Sequence, residues 1–227
     1  MSGVVIWDFD GTLAHRGEMW GGCMVEVLDE HEAGHSVTLD TVRPLLRDGF
    51  PWHAPDVAHP ELCNAEAWWE HVGALMARAY ERLGYTPERA RELTRLARRR
   101  YVDTGWELFD DTLPALESLR ADGWGHVLLS NHVPELPAIV EALGIAPFFD
   151  AVLTSAATGY EKPHPEMFAL ARRAAGDCER VWMVGDNFDA DVAGAEAAGI
   201  PAVLARRTDE RAARAVATLA DLPRYLG

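Results

Sequence analysis

The sequence predicts an α/β protein whose parallel sheet is interrupted, directly after its first strand, by a block of helices. Three observations predict it. An unbroken apolar run, Val4-Val5-Ile6-Trp7, leads straight into Asp8-Phe9-Asp10-Gly11-Thr12. A short run of this kind reads as a strand buried on both faces, as in parallel sheets. From about residue 106 onward, short apolar runs alternate with amphipathic stretches, the pattern of right-handed crossovers in a parallel sheet. Residues from about 16 to about 105, between these two parts, read mainly as helices.

Taken in order, the first strand ends at Asp8, and Gly11 permits a tight turn. Cys23, Met24, Val27, Leu28 and His31 then recur at helical spacing and end at Gly34. A second, shorter helix is expected over 38–48, stopped by Gly49 and Pro51. Residues 50–60 hold three prolines with Trp52, His53 and His59, which predicts an irregular, ordered loop. Either histidine could line a substrate pocket or be satisfied by local hydrogen bonds. Asn64 can cap a third helix, with Trp68, Val72, Leu75, Ala79 and Leu83 on one face. Thr86-Pro87-Glu88 starts a fourth, a capping Thr followed by Pro at the first helical position. Its run Arg98-Arg99-Arg100 reads as a solvated face, with a substrate contact as the alternative. Beyond it the expected helices cover 111–121, 134–143, 165–175 and 189–198, and the expected strands 125–129, 151–153, 181–184 and 201–204. A closing helix or turn is expected over 219–226.

Composition narrows the function classes. The chain has 227 residues, 48% hydrophobic and 25% charged, the mixture of a soluble globular protein. Its net charge of −15, with no long basic tract, argues against nucleic acid or an anionic membrane as the main partner. Cys23, Cys63 and Cys178 show no metal-binding spacing and predict free thiols in a reducing compartment. With no leader pattern after Met1 and no apolar run near membrane-spanning length, the expected location is the cytoplasm. Of the 21 basic residues, Lys162 alone is lysine, which suggests that a compact ammonium is required at that position.

Polar residues stand at the ends of three predicted strands: Asp8 and Asp10, Ser130 and Asn131, and Asp186. In a parallel sheet these converge on one edge, where open α/β sheets bind ligands. Two adjacent carboxylates repel unless a cation or proton joins them. An EF-hand loop beginning at Asp8 would need Gly and Glu where the sequence has Leu13 and Met19, so that reading fails. Carboxylates, a hydroxyl and one ammonium suit phosphoryl transfer assisted by a hard divalent cation.

In order along the chain, Asp8-Phe9-Asp10-Gly11-Thr12, Ser130, Lys162-Pro163-His164-Pro165, and Gly185-Asp186 with Asp191 make up four motifs. With them the sequence resembles the haloacid dehalogenase superfamily, specifically its phosphatase-like members with a helical cap inserted after the first motif. The resemblance implies a Rossmann-like catalytic core formed by residues 1–15 and 106–227, with a mostly α-helical cap over 16–105. It implies a Mg²⁺-dependent phosphatase acting on a small phosphorylated metabolite through an aspartyl phosphate. Asp8 would be the nucleophile and a metal ligand. Asp10 would be the general acid and base, its backbone carbonyl also on the metal. Gly11, Thr12, Ser130, Asn131 and Lys162 would bind phosphate, with Lys162 neutralising charge. Asp186 would be a metal ligand, with Asp191 and Asn187 behind it. His15 and Arg16, at the junction with the cap, could touch substrate or serve as plain linker. A phosphomutase on the same fold, or a non-catalytic receiver-like protein binding phosphate and metal, is the alternative. Substrate identity would reside in the cap, whose residues do not transfer by motif.

Overall fold

The structure, a computed structural model, describes residues 2–226; Met1 and Gly227 lie outside the described residues. Strand β1 (Gly3–Trp7) is followed by β2 (Ala14–Arg16), then by helices α1 (Met19–His31), α2 (Leu39–Val42), α3 (Ala65–Arg82) and α4 (Pro87–Asp103). The remaining chain forms β3 (Trp106–Leu108), α5 (Thr112–Ala121), β4 (Trp124–Ser130), α6 (Leu136–Ala142), β5 (Ala151–Thr154), α7 (Ser155–Thr158) and α8 (Pro165–Ala174). It closes with β6 (Val181–Gly185), α9 (Gly194–Ala197), β7 (Ala202–Ala205), β8 (Ala215–Val216) and α10 (Pro223–Leu226).

Among the described residues one sheet has six strands, in the order β5-β4-β1-β6-β7-β8, and every neighbouring pair is parallel. The α/β class and the parallel sheet are therefore as the sequence predicts. β1 lies in the middle, buried along its whole length. Its side chains alternate between faces, as strand geometry requires. Val5 and Trp7 join one apolar cluster with Leu116, Leu119 and Ile139, while Val4 and Ile6 join another with Met167, Phe168 and Ala195. Trp7 stands opposite Leu128 on β4 and Val184 on β6. This register brings the chain out of all three strands at one edge, at Asp8, Ser130 and Asp186.

The helical block forms as its caps foretell. The Asn64 side chain accepts from the Ala67 N–H and Thr86 from the Arg89 N–H, satisfying donors that the first turn leaves unpaired. The helix expected over 38–48 is broken: α2 gives way to a tight 3₁₀ turn at Arg43–Leu46. Pro44, at the start of that turn, has no N–H to carry the α pattern onward. The helix expected over 189–198 is also altered. A wide π turn, Phe188–Ala193, precedes α9, with Asp191 Oδ2 drawn back onto the Asn187 N–H at 2.9 Å.

One feature is absent from the sequence-based expectation. β2 and β3 pair antiparallel, Ala14 opposite Leu108 and Arg16 opposite Trp106. Both crossings between sheet and helical block therefore run side by side. Buried Arg16 ties them together. Its Nε donates to the Thr104 carbonyl at 3.2 Å, Nη1 to the Gly17 carbonyl at 3.2 Å and Nη2 to Glu26 at 2.9 Å. Glu135, beside α6, receives Trp69 Nε1 at 2.9 Å and Arg98 Nη2 at 2.8 Å from the helical block. Arg98 is thus half-buried in an ion pair and Arg100 pairs with Glu30, leaving Arg99 as the exposed member of that run. No helix among the described residues is long and apolar enough to cross a membrane.

Candidate active site

The turn after β1 is set by its backbone. The Phe9 carbonyl accepts from the N–H groups of Leu13 and Ala14 at 2.9 and 3.0 Å, and the Asp8 N–H donates to Val184 at 2.9 Å. Gly11 has φ 81°, which favours glycine, and a Cβ there would lie 2.5 Å from Asp186 Oδ2. The turn thereby closes directly against the end of β6.

Asp8 is held on one oxygen. Its Oδ1 accepts from Ser130 Oγ at 2.9 Å and from Lys162 Nζ at 2.7 Å. The fully buried Thr12 hydroxyl approaches Oδ2 at 3.3 Å, so its donor faces Asp8. Lys162 also donates to Asp191 Oδ1 at 2.6 Å. Burial alone would depress the Lys162 ammonium, but Asp191 and Asp8 outweigh it and hold its pKa above the ordinary lysine value. Asn131 fixes this lysine from behind. Its Oδ1 accepts the Lys162 N–H at 2.7 Å and its Nδ2 donates to the Lys162 carbonyl at 2.9 Å.

Asp8, Asp186 and Asp191 are buried, and each places a carboxylate oxygen within 4.8 Å of the others. Asp191 has both oxygens engaged, by Lys162 and by the Asn187 N–H. Asp186 accepts from Arg207 Nε at 2.6 Å. Burial, then Asp8, pushes the Asp186 carboxyl up, and Arg207 opposes the rise. Asp10 lies beside this group and is pushed up to about 7, first by burial and then by Asp8 and Asp186, with Arg207 pulling down.

These residues line a cavity of about 1060 Å³ between the sheet edge and the helical block. It brings together Asp8, Asp10, Gly11, Ser130, Asn131, Lys162, Asp186, Asn187 and Asp191, with His15 and Arg16 at its margin. Thr12 lies behind it, reaching Asp8. His53 and His59 do not line it. His53 is exposed and packs edge-on to Phe50, and the His59 N–H holds the Gly159 carbonyl at 2.7 Å. The sequence reading missed Trp20, Trp52, Tyr101, His132, Arg206 and Arg207 as lining residues. For Arg206 and Arg207 a signal was present, because they follow β7 as the other polar residues follow β1, β4 and β6. Trp20 and Tyr101 carried none, since aromatics on helices read as core, and Trp52 stood in the irregular loop expected over 50–60.

A family model described as haloacid dehalogenase-like hydrolase matches residues 3–199. A phosphoserine phosphatase from Thermus thermophilus is 41% identical over 131 residues, covering 55% of this chain and 50% of that protein. The mouse haloacid dehalogenase-like hydrolase domain-containing protein 3 is 31% identical over 211 residues, covering 88% of this chain and 80% of that protein. The HAD-hydrolase YfnB from Bacillus subtilis, a crystal structure with bound magnesium, superposes with a TM-score of 0.73 over 99% of this chain and 98% of its own, at 17% identity. The chain spans about half the length of the first curated relatives it matches, at 50%, 44% and 43% of their lengths.

Proposed function

The chain belongs to the haloacid dehalogenase-like hydrolases, and from that premise we propose that it is a Mg²⁺-dependent phosphatase of a small phosphorylated metabolite. The observation that carries the reading is the unequal setting of the two acids after β1. Asp8 has one oxygen pinned by Ser130 and Lys162, whereas Asp10 lies beside it with a carboxyl pushed up to about 7. One group is fixed for attack and its neighbour is suited to hold a proton.

The donor set fits a hard divalent cation: three buried carboxylates, with no sulfur or imidazole in the group. Asp8, Asp186 and the Asp10 backbone carbonyl would hold it, with Asp191 and Asn187 outside, because both Asp191 oxygens are already engaged. When bound, it supplies positive charge to the phosphoryl oxygens and the acids around them.

Asp8 attacks phosphorus in line. The ester P–O bond breaks as the Asp10 carboxyl gives its proton to the leaving oxygen. An aspartyl phosphate remains on Asp8. Asp10, now a carboxylate, takes a proton from the water that attacks this phosphorus. Phosphate leaves and Asp8 is restored. Lys162 neutralises charge at Asp8, Ser130 and the Gly11 turn face the phosphoryl oxygens, Thr12 orients Asp8, and Asn131 positions Lys162. The helical block, residues 16–105, acts as the cap that excludes water. Asp10 also favours phosphate esters over halides, since departing halide needs no proton. The unpaired Cys23, Cys63 and Cys178 support a reducing, cytoplasmic setting.

The test is turnover of p-nitrophenyl phosphate with Mg²⁺, its loss with a chelator, and acid-quench trapping of the phosphoenzyme. Asp8→Asn should abolish turnover and trapping. Asp10→Asn should slow leaving-group departure and hydrolysis by about 10²-fold or more while phosphate is still trapped on Asp8. Phosphate recovered on Asp10, or no turnover of any phosphate ester, overturns the assignment. Transfer of the phosphoryl group to a second position of a sugar phosphate would favour the mutase.

A further inference from the structure

The cavity has two chemically unlike sides. The sheet edge supplies the acids and Lys162. The helical block supplies Met19, Trp20, Trp52, Pro55 and Tyr101, and Phe109 adjoins them. These rings are held by one another. Trp20 stacks on Tyr101 with centroids 3.8 Å apart and planes at 7°, and Trp52 stacks on Phe50 at 4.6 Å and 14°. The result is a preorganised apolar wall, with its aromatic groups fixed before any ligand enters.

Arg16, Arg206 and Lys162, three cations of this cavity, have their donors engaged. Arg16 directs Nε, Nη1 and Nη2 at Thr104, Gly17 and Glu26. Arg206 gives Nε to the Thr12 carbonyl at 2.7 Å and Nη2 to Asp111, and its guanidinium lies 3.8 Å from the Phe109 ring centre. Lys162 is enclosed between Asp8 and Asp191. Arg207 is well exposed, at 68% for its side chain, but it stands on Asp186 among the acids. A substrate with a second anionic group would bring it against aromatic carbon, where an unpaired charge is costly to desolvate. The net charge of −15 adds repulsion.

We infer that the leaving group of the substrate is an uncharged alcohol bearing a planar apolar group, and that Trp52 and the edge of Trp20 select it, with Tyr101 backing Trp20. The substrate class is thus an arylalkyl phosphate monoester. In the reaction its P–O bond breaks and the alcohol departs with the proton given by Asp10. This inference rests on the phosphatase reading and deepens it.

Three monoesters of primary alcohols test it: ethyl phosphate, phenethyl phosphate and 2-phosphoglycolate. The second adds a phenyl ring to the first, and the third puts a carboxylate in place of its methyl group. Each is assayed with Mg²⁺ beside p-nitrophenyl phosphate. The expected result is a kcat/KM for phenethyl phosphate about tenfold or more above ethyl phosphate, equivalent to about 1.4 kcal/mol, with 2-phosphoglycolate below both. Trp52→Ala should shrink the phenethyl-to-ethyl ratio several-fold, and Trp52→Phe should largely restore it. Preference for 2-phosphoglycolate, or a phenethyl-to-ethyl ratio near one in the unaltered protein, overturns the inference and leaves the phosphatase reading standing. A ratio unmoved in folded Trp52→Ala removes Trp52 from the selecting wall. Turnover of none of the four esters overturns the phosphatase reading itself.

Discussion

Asn131 shows how a residue at a motif position can act through its neighbour. Both its side-chain hydrogen bonds go to the backbone of Lys162, one donated and one accepted. Its side chain therefore holds the loop that carries the ammonium. Asn131→Ala removes both bonds and leaves two backbone groups to find other partners. The expected cost is about 1–3 kcal/mol in urea unfolding, together with a fall in kcat larger than the change in KM. Loss confined to KM would instead mean direct phosphate contact. At this scale the sequence was most legible where chemistry demanded a particular group. Asp8, Asp10, Ser130, Lys162 and Asp186 all line the cavity. It was least legible for Trp20 and Tyr101, because a core aromatic and a pocket aromatic look alike in a helical pattern.

Among the elements, the link from β6 into α9 is tightly constrained. A Cβ at Gly185 would lie 2.2 Å from Asp191 Oδ2 and 2.3 Å from its Cγ. Asp191 has no room to yield, since it is buried and bonded to both Lys162 and Asn187. Gly185→Ala should therefore displace Asp191 from Lys162. The expected destabilisation is about 1–3 kcal/mol, the usual cost of overpacking, measured by thermal and urea unfolding. Activity should fall further than stability predicts. Strand ends were readable because buried apolar runs stop abruptly. The β2–β3 pair was not, because each strand has three residues and its partner lies some ninety positions away in the chain. Length that short gives no period to detect. Pro44 carried a signal of its own, but the helix expected over 38–48 was read straight through it, with stops only at Gly49 and Pro51.

Across the whole molecule, the sheet is packed on both faces, and one of them holds a buried histidine. His126 on β4 is buried and accepts at Nδ1 from Trp7 Nε1 at 3.0 Å. Burial pushes its pKa down to about 4, with Arg120 pushing the same way and Leu116 and Asp150 opposing. The fold thus requires the neutral ring. Its contribution is fully present above the ordinary histidine value, near 6.5, and is lost as pH falls toward the folded value. By pH 5 the loss should reach about 2 kcal/mol. His126→Gln keeps an acceptor for Trp7 but cannot take up this proton. Between pH 7.5 and 5 it should lose about 2 kcal/mol less than the parent protein in urea unfolding. Equal losses would place the acid sensitivity elsewhere. The overall architecture was legible because alternation of strand and helix constrains handedness and pairing. The joint to the helical block was not. Glu135, His59 and Arg16 fix it through partners distant in sequence, Trp69, Gly159 and Thr104.

The solitary lysine has a chemical consequence. Apart from the α-amino group, Lys162 is the one amine that acylating or reductive-methylating reagents can modify. It is 3% exposed and clasped between two carboxylates. Brief treatment of the folded protein should therefore spare Lys162, as read by peptide mass mapping. Denaturant should reverse that protection. Forced ¹³C-methylation would then give a single ε-amine resonance, a spectroscopic reporter located at the centre of the candidate site.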